Sequence, residues 1–216
     1  MNAYLPGMET ERRRPELSQW YTEPKLAARL WAWANRYQQP HRVLEPAAGQ
    51  GALIKPMMIE PYSCGQVVAV EIDPSNVQAL ERIMWEGRRT WRLRLVIRGD
   101  FLTTQWKRDE LGRLPFDLAL MNPPYEDGRA EAFILHALTV CERVCGIFKA
   151  SILHGDERRR TLWSKCHTKR EVRLMTRPSF GRGESGAEGG KTDFVALEIT
   201  SGATTDQRYV EMENWP

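Results

Sequence analysis

The chain alternates between two patterns of apolar and polar positions, one typical of β-strands and the other of α-helices. Short apolar runs predict buried strands at 42–45, 67–72, 93–97, 116–121 and 144–150. Apolar residues at helical spacing predict helices at 22–39, 52–58, 74–86 and 126–142. Strands that alternate with helices favour a right-handed, mostly parallel α/β sheet.

The last part of the chain departs from this alternation. Two further strands are predicted at 172–176 and 193–199, and no long helix lies between them. They are typical of an antiparallel hairpin that closes the sheet, which gives seven strands in all. We expect one domain over 19–200, with a basic, mobile arm at 1–18 and a polar tail at 201–216.

The first predicted helix opens with Thr22 as a candidate N-cap and Pro24 in its first turn. Leu26, Leu30, Trp33 and Tyr37 follow at helical spacing, so this face is expected to be buried.

Four of the predicted strands end in distinctive residues. The carboxyl ends of parallel strands meet at one edge of the sheet, and open α/β sheets bind their ligands there. The four segments are Glu45-Pro46-Ala47-Ala48-Gly49-Gln50-Gly51, Glu71-Ile72-Asp73, Gly99-Asp100-Phe101 and Asn122-Pro123-Pro124-Tyr125.

The last of these segments carries the most specific chemistry. Proline cannot donate to a strand ladder, so the strand must end there, and the residue before a proline is held extended. The Asn122 side-chain oxygen and the Pro123 carbonyl thus become two fixed acceptors beside the ring of Tyr125. This arrangement suits an amino group attached to a flat ring.

In this order, the four motifs resemble S-adenosylmethionine-dependent amino-methyltransferases of the NPPY type, and are most similar to the DNA N6-adenine group. The resemblance covers about 20–200. Because Tyr21-Thr22-Glu23-Pro24 precedes the glycine loop, the order is similar to the gamma arrangement of that group. The segments 148–160 and 177–180 resemble small phage or prophage members. The resemblance implies a Rossmann-like class I methyltransferase fold.

The resemblance also implies a set of cofactor contacts. Glycines allow close approach of the backbone to the methionine part of the cofactor, which Thr22 would help to hold. Glu71 suits two ribose hydroxyls, Asp100 the adenine amino group and Phe101 the adenine ring, while Glu45 would face the amino end. The residues expected to bind S-adenosylmethionine are Tyr21, Thr22, Glu45, Ala47, Gly49, Gly51, Glu71, Ile72, Asp100, Phe101 and Asn122.

For catalysis, the resemblance implies methyl transfer from a sulfonium to the N6 amino group of adenine. Asn122 and Pro123 would accept the two amine hydrogens, on a turn stiffened by Pro124, and Tyr125 would stack on the base. Neither a separate general base nor a metal is expected. A base within duplex DNA would have to be flipped out, with Phe180 against its other face or in the vacated gap, unless Phe180 is a packing aromatic.

Charge indicates a phosphate-rich partner. The net charge is only +3, but positions 151–182 hold nine Lys or Arg residues and three Asp or Glu residues. The candidate nucleic-acid contacts are Arg158, Arg159, Arg160, Phe180 and Arg182, although the three consecutive arginines also fit the solvated start of a helix.

Cysteine usage and hydropathy limit the remaining classes. The four cysteines lack the spacing of a zinc site, so free buried thiols are expected. No secretion signal and no apolar run near ~18 residues are visible, which favours a cytoplasmic protein without a membrane span, in a bacterium or a phage-infected cell.

Several alternatives stay open at this stage. The chain has no room for the separate recognition domain of larger relatives, so specificity would be short, weak or supplied by a partner protein or a second copy. DNA is favoured as the substrate, and transfer or ribosomal RNA is the main alternative. Protein glutamine, the N4 amino group of cytosine and a cofactor-binding module without activity are further alternatives.

Overall fold

The structure, a computed structural model, describes residues 22–59, 64–86, 93–112, 114–174, 178 and 192–202. It contains seven strands and five α-helices over these residues. The strands are β1 Arg42–Glu45, β2 Gln66–Glu71, β3 Leu93–Arg98, β4 Phe116–Met121, β5 Cys141–Lys149, β6 Cys166–Arg173 and β7 Phe194–Ser201. The helices are α1 Pro24–Asn35, α2 Lys55–Ile59, α3 Pro74–Glu86, α4 Arg129–Ala137 and α5 Asp156–Thr161.

All seven strands form one sheet in the order β3-β2-β1-β4-β5-β7-β6. Neighbours from β3 to β5 pair in parallel, and β7 is antiparallel to both β5 and β6. The predicted mostly parallel sheet with an antiparallel closure is therefore confirmed. Chain order reverses between β1 and β4, and the carboxyl ends of these two strands form the switch point at which ligands bind in open α/β sheets.

The sheet has an apolar core on each face, because its central strands are buried on both sides. One core joins α1, α2 and α3 to inward residues such as Leu118 and Leu120. The other joins α4 to Ala119 and Met121, the alternate residues of β4. The acceptor turn after β4 is thus built on a strand that packing holds from both faces.

The N-cap of helix α1 is Glu23, one residue after the predicted cap, Thr22. The Glu23 side chain makes no capping bond, while the hydroxyl of Thr22 contacts Asn122. The predicted buried face is correct for Leu30 and Trp33, whereas Tyr37 lies past the helix end and is 65% exposed.

Two buried arginines hold the carboxyl end of α1 against the sheet. Arg143 of β5 donates to the carbonyls of Ala34 (3.0 Å) and Gln38 (2.6 Å). Arg170 of β6 donates to the carbonyl of Trp33 and lies over that residue's ring, 4.4 Å from its centroid. Arg170 also donates through Nε to Glu198 of β7 (2.6 Å). Cations at a helix carboxyl end also complement the helix dipole.

Several predicted boundaries are wrong. The fourth long helix ends at Ala137, and Cys141 already pairs with Phe116 in β5, because tertiary pairing prevails over helical spacing. Helix α2 starts at Lys55, after a run of turns. Strand β6 begins at Cys166, six residues before the predicted start at Val172.

The four cysteines are free and buried, as predicted. Burial raises the thiol pKa of Cys64, Cys145 and Cys166 to about 12, so these thiols stay protonated. None of the described helices is long and apolar enough to span a membrane. The predicted arm and the tail beyond Gly202 lie outside the described residues.

Candidate active site

The Asn122 amide lies at the carboxyl end of β4 and is held at both of its ends. Its Nδ2 donates to the hydroxyl of Thr22 (2.9 Å), and its Oδ1 accepts from the hydroxyl of Tyr125. Pro123 is buried directly after it, so the turn has little freedom to move. The side chain predicted to accept an amine is therefore fixed in orientation.

Tyr125 is tied to β5 and β7 as well as to Asn122. Its hydroxyl lies 3.2 Å from the carbonyl oxygen of Ile147, and its ring meets that of Phe194 edge-on at 5.5 Å. The Lys149 ammonium lies over the ring, 5.2 Å from the centroid. Burial, and then the charge of Glu126, raise the pKa of Tyr125 well above its ordinary value, so its hydroxyl remains a donor.

The glycine loop after β1 is fastened to the end of β2. Gly49 has φ +52°, and its N–H donates to Oε2 of Glu71 (2.6 Å). Gly51 has φ +74°, and a Cβ there would lie 3.0 Å from Leu80 and 3.2 Å from Ile83. Gly51 is thus required by its left-handed backbone and by close packing on α3. Ala47 is partly buried against the core on the α4 side.

The second strand end places Glu71 in a buried hydrogen-bonded position. Its Oε1 accepts from the N–H of Asp73 (2.7 Å), and burial raises its pKa. Asp73 in turn accepts from the N–H and hydroxyl of Ser75, which fixes the start of α3. The neighbouring Ile72 is 44% exposed and leaves an apolar surface open beside the carboxylate.

Glu45 is the least satisfied acid of the site. It is 2% exposed, and its Oε2 has no hydrogen-bond partner among the described residues. Burial, and then repulsion from Glu71, raise the pKa of Glu45 well above its ordinary value. A buried acid whose pKa is shifted by burial and by a second acid marks a candidate functional position.

The third strand end differs in part from the prediction. Asp100 accepts from the N–H of Leu102 (3.0 Å) and from Arg129 (3.3 Å), and its side chain remains 29% exposed. The Phe101 ring is 1% exposed and packs in the core, 4.6 Å from the His136 ring and 5.2 Å from that of Phe133. Asp100, rather than the ring of Phe101, is therefore the side chain that a ligand can reach here.

The three consecutive arginines have different environments. Arg158 donates to Glu131 of α4 (2.5 Å) and to two backbone carbonyls, of Ser151 and His154. Its guanidinium thus connects α5 to α4 and to the segment that follows β5. Arg159 pairs loosely with Asp156 (3.6 Å) and is 74% exposed, and Arg160 is also exposed. Tyr21, Phe180 and Arg182 lie outside the described residues.

Two connected groups emerge from the predicted residues. The first joins Thr22, Asn122 and Tyr125 by hydrogen bonds, and the second joins Gly49 to Glu71, which repels Glu45. Within the described ranges, no three potential metal ligands come together.

Sequence reasoning missed Lys149, Arg129 and Glu131. A lysine at the end of a strand beside the acceptor turn was the available signal for Lys149. Arg129 pairs with Asp100 and Glu131 pairs with Arg158, and no local sequence pattern predicts such contacts between different elements.

Comparison with solved structures confirms the fold class. The chain is similar to a Pyrococcus horikoshii protein described as a candidate RNA methyltransferase, with a TM-score of 0.65, 20% identity, and coverage of 90% of this chain and 92% of that one. It is also similar to a candidate class I S-adenosylmethionine-dependent methyltransferase from Listeria monocytogenes (TM-score 0.59, 12% identity, 90% and 63% covered).

A third similar structure is the methyltransferase subunit of a type I restriction-modification system from Streptococcus thermophilus. The TM-score is 0.63 at 16% identity, and the match covers 90% of this chain and 48% of that subunit. No family and no curated protein sequence matches the chain. The structural likenesses establish a Rossmann-like fold of the class I methyltransferase kind.

Proposed function

We propose that this chain, which has the class I methyltransferase fold, transfers a methyl group from S-adenosylmethionine to the N6 amino group of adenine in DNA. The observation that carries the proposal is the Asn122 amide, fixed at the end of β4 next to β1, whose last residue is the buried Glu45 with an oxygen that lacks a partner among the described residues. The S. thermophilus neighbour, a subunit of a restriction-modification system, supports DNA as the substrate.

The residues of the pocket fit a cationic cofactor. Glu45 retains a buried oxygen without a hydrogen-bond partner among the described residues, and a positively charged group would compensate its charge. Glu71 has further lone pairs for ribose hydroxyls, and Asp100 is exposed enough to accept from an amino group. When bound, the cofactor supplies an electrophilic methyl group on a sulfonium.

Asn122 and Pro123 act on the nucleophile. An exocyclic amine is a poor nucleophile while its lone pair is conjugated with the ring. Acceptance of its two hydrogens by Asn122 Oδ1 and the Pro123 carbonyl favours a pyramidal nitrogen whose lone pair points at the methyl group. The N–C bond would form as the S–C bond breaks, which leaves a neutral thioether, and the methylated amine would lose one proton to water. In the structure Oδ1 accepts from the Tyr125 hydroxyl, and an amide oxygen has a second lone pair with which it can also accept from the amine.

Tyr125 then provides the stacking surface for the target base. Such a contact contributes about 1–3 kcal/mol per base. The Lys149 ammonium lies over the Tyr125 ring, so the base would stack on the opposite face or replace this contact. In a duplex, the base must first be extruded from the stack.

A test is methyl transfer from labelled S-adenosylmethionine to duplex DNA, single-stranded DNA and RNA, followed by mapping of N6-methyladenine. Asn122→Ala is expected to lower transfer at least about 100-fold and to retain cofactor binding. Gln105→Ala, at an exposed position, is the matched control. Wild-type transfer rates in Asn122→Ala would contradict the mechanism, and transfer to RNA alone would contradict DNA as the substrate.

RNA is the second candidate substrate, because the P. horikoshii neighbour is described as a candidate RNA methyltransferase and matches over most of both chains. The same acceptor turn would serve either polymer, so the comparison of DNA with RNA decides between them.

A further inference from the structure

We propose that Thr22 is a positioning residue that holds the Asn122 amide in place for methyl transfer. The inference rests on the proposed function and deepens it. It gives Thr22 a role toward the acceptor side chain, in addition to any contact with the cofactor.

The geometry assigns the Thr22 hydroxyl to this contact. Thr22 is 7% exposed, and its Oγ1 lies 2.9 Å from Nδ2 of Asn122, a residue 100 positions later in the chain. The hydroxyl is not used to cap α1, since Glu23 occupies the N-cap position. The buried Thr22 side chain, just before the helix, therefore contacts Asn122 and does not cap α1.

The two ends of an amide have nearly the same shape and opposite chemistry. With Oδ1 toward the substrate, Asn122 accepts a hydrogen from the amine. With the amide reversed, Nδ2 would face the amine and place two donors against each other. The Thr22 hydroxyl accepts from Nδ2 in the structure, and because a hydroxyl can also donate, its contact holds the amide in place without by itself selecting one end.

Two hydroxyls contact opposite ends of the amide in the structure. The Tyr125 hydroxyl contacts Oδ1, the same oxygen that the amine requires, and an amide oxygen has two lone pairs, so both can donate to it. The Thr22 hydroxyl contacts Nδ2 and therefore leaves Oδ1 to the amine and Tyr125.

Thr22 lies directly before the N-cap of a helix that is anchored at its other end. The carbonyls at the carboxyl end of α1 accept from Arg143 and Arg170, and the helix buries Leu30 and Trp31 against the sheet. This packing fixes the helix that follows Thr22, and the burial of Thr22 itself limits the movement of its hydroxyl.

The kinetic experiment compares Thr22→Val, which removes the hydroxyl at nearly constant shape, with Thr22→Ser, which retains it. Because Thr22 is also expected to contact the cofactor, kcat is measured at saturating cofactor, where we expect Thr22→Val to lower it about 10–100-fold. Thr22→Ser is expected to stay within about threefold of wild type in kcat. A wild-type kcat in Thr22→Val, or a raised cofactor Kd with unchanged kcat, would overturn the positioning role.

A second measurement is independent of any activity. The side-chain amide resonances of Asn122, assigned by their loss in Asn122→Ala, should show slow hydrogen exchange in wild type and Thr22→Ser. They should exchange faster in Thr22→Val. Unchanged exchange in Thr22→Val would refute the contact, whether or not the protein methylates DNA. Absence of methyl transfer by wild type, with the exchange pattern intact, would refute only the proposed function.

Discussion

Replacing Glu45 with glutamine is expected to stabilise the protein and to weaken its binding of S-adenosylmethionine. Glu45 is 2% exposed, its Oε2 has no partner among the described residues, and Glu71 repels it. All three conditions disfavour the ionised carboxylate. Glutamine keeps the shape of the side chain and removes the charge. The protein without cofactor therefore becomes more stable, while the bound cofactor loses its contact with a negative charge.

The size of this stabilisation depends on pH. Burial raises the pKa of Glu45 well above 4.5 in the folded protein, while the unfolded chain keeps an ordinary carboxyl group. Below that ordinary pKa both states are protonated and Glu45 has no effect on stability. As the pH rises, the unfolded state ionises first, and stability is lost until the folded pKa is passed. The gain from Glu45→Gln should therefore grow with pH.

The magnitude follows from the burial of this carboxylate. Each unit by which its pKa is raised corresponds to about 1.4 kcal/mol, and glutamine removes this cost because it carries no charge. We expect a gain of about 1–3 kcal/mol near pH 8 that falls toward zero below about pH 4. For a chain of this length, each kcal/mol raises Tm by about 2–4 °C.

Denaturation of wild type and Glu45→Gln at both pH values measures the stability change, and calorimetric titration measures the cofactor Kd. Glu142→Gln, at an exposed position of β5, is the control for loss of one negative charge. Some pH dependence should remain in Glu45→Gln, because burial also raises the pKa of Glu71. A variant less stable than wild type near pH 8 would refute the burial argument, and an unchanged cofactor Kd would refute the contact.

Three further predictions concern other parts of the molecule. Lys149→Gln should weaken DNA binding and reduce the slope of log affinity against log salt by about one, because Lys149 lies beside Tyr125. Arg158→Gln should leave this slope unchanged, because Arg158 is paired with Glu131. Anisotropy titrations measure both slopes, and a reduced slope in Arg158→Gln with an unchanged slope in Lys149→Gln would contradict the prediction. Gly51→Ala should lower the free energy of unfolding by about 1–3 kcal/mol in urea denaturation. The control is Gly112→Ala, at a position with a similar φ but with open space around it, and its loss should be smaller. Equal losses would refute the packing of Gly51 on α3. Glu198→Gln should lower the free energy of unfolding by about 3–5 kcal/mol, because it leaves buried arginines uncompensated; a loss under about 1 kcal/mol would contradict this.

Local patterns were enough to predict the strands that end at the site. The apolar run of β4 and the prolines after it define the turn at Asn122, because both effects act within a few residues. Strand β6 was placed too late because it is an edge strand paired only with β7, so it carries fewer apolar residues. Its buried Arg170 and Glu171 read as polar surface until Glu198 is placed beside the strand.

Long-range partnerships could not be read from the sequence. Thr22 has the residue type and position of an N-cap, and only the tertiary contact with Asn122 reveals its other use. Arg158 has the setting of a phosphate contact, and only the packing of α4 brings Glu131 to it. The predicted chemistry of the carboxylates stays a prediction, because it depends on a ligand.

The anchoring of α1 has a consequence for how the protein folds. During synthesis α1 is made before every strand of the sheet, yet the carbonyls at its end accept from Arg143 and Arg170, 109 and 137 residues away from their respective partners. Domains that depend on such distant contacts fold slowly, because the loop must close before the contact forms. The carboxyl end of α1 thus gains these contacts only after β5 and β6 have been made, and until then Trp33 lacks the arginine that lies over its ring.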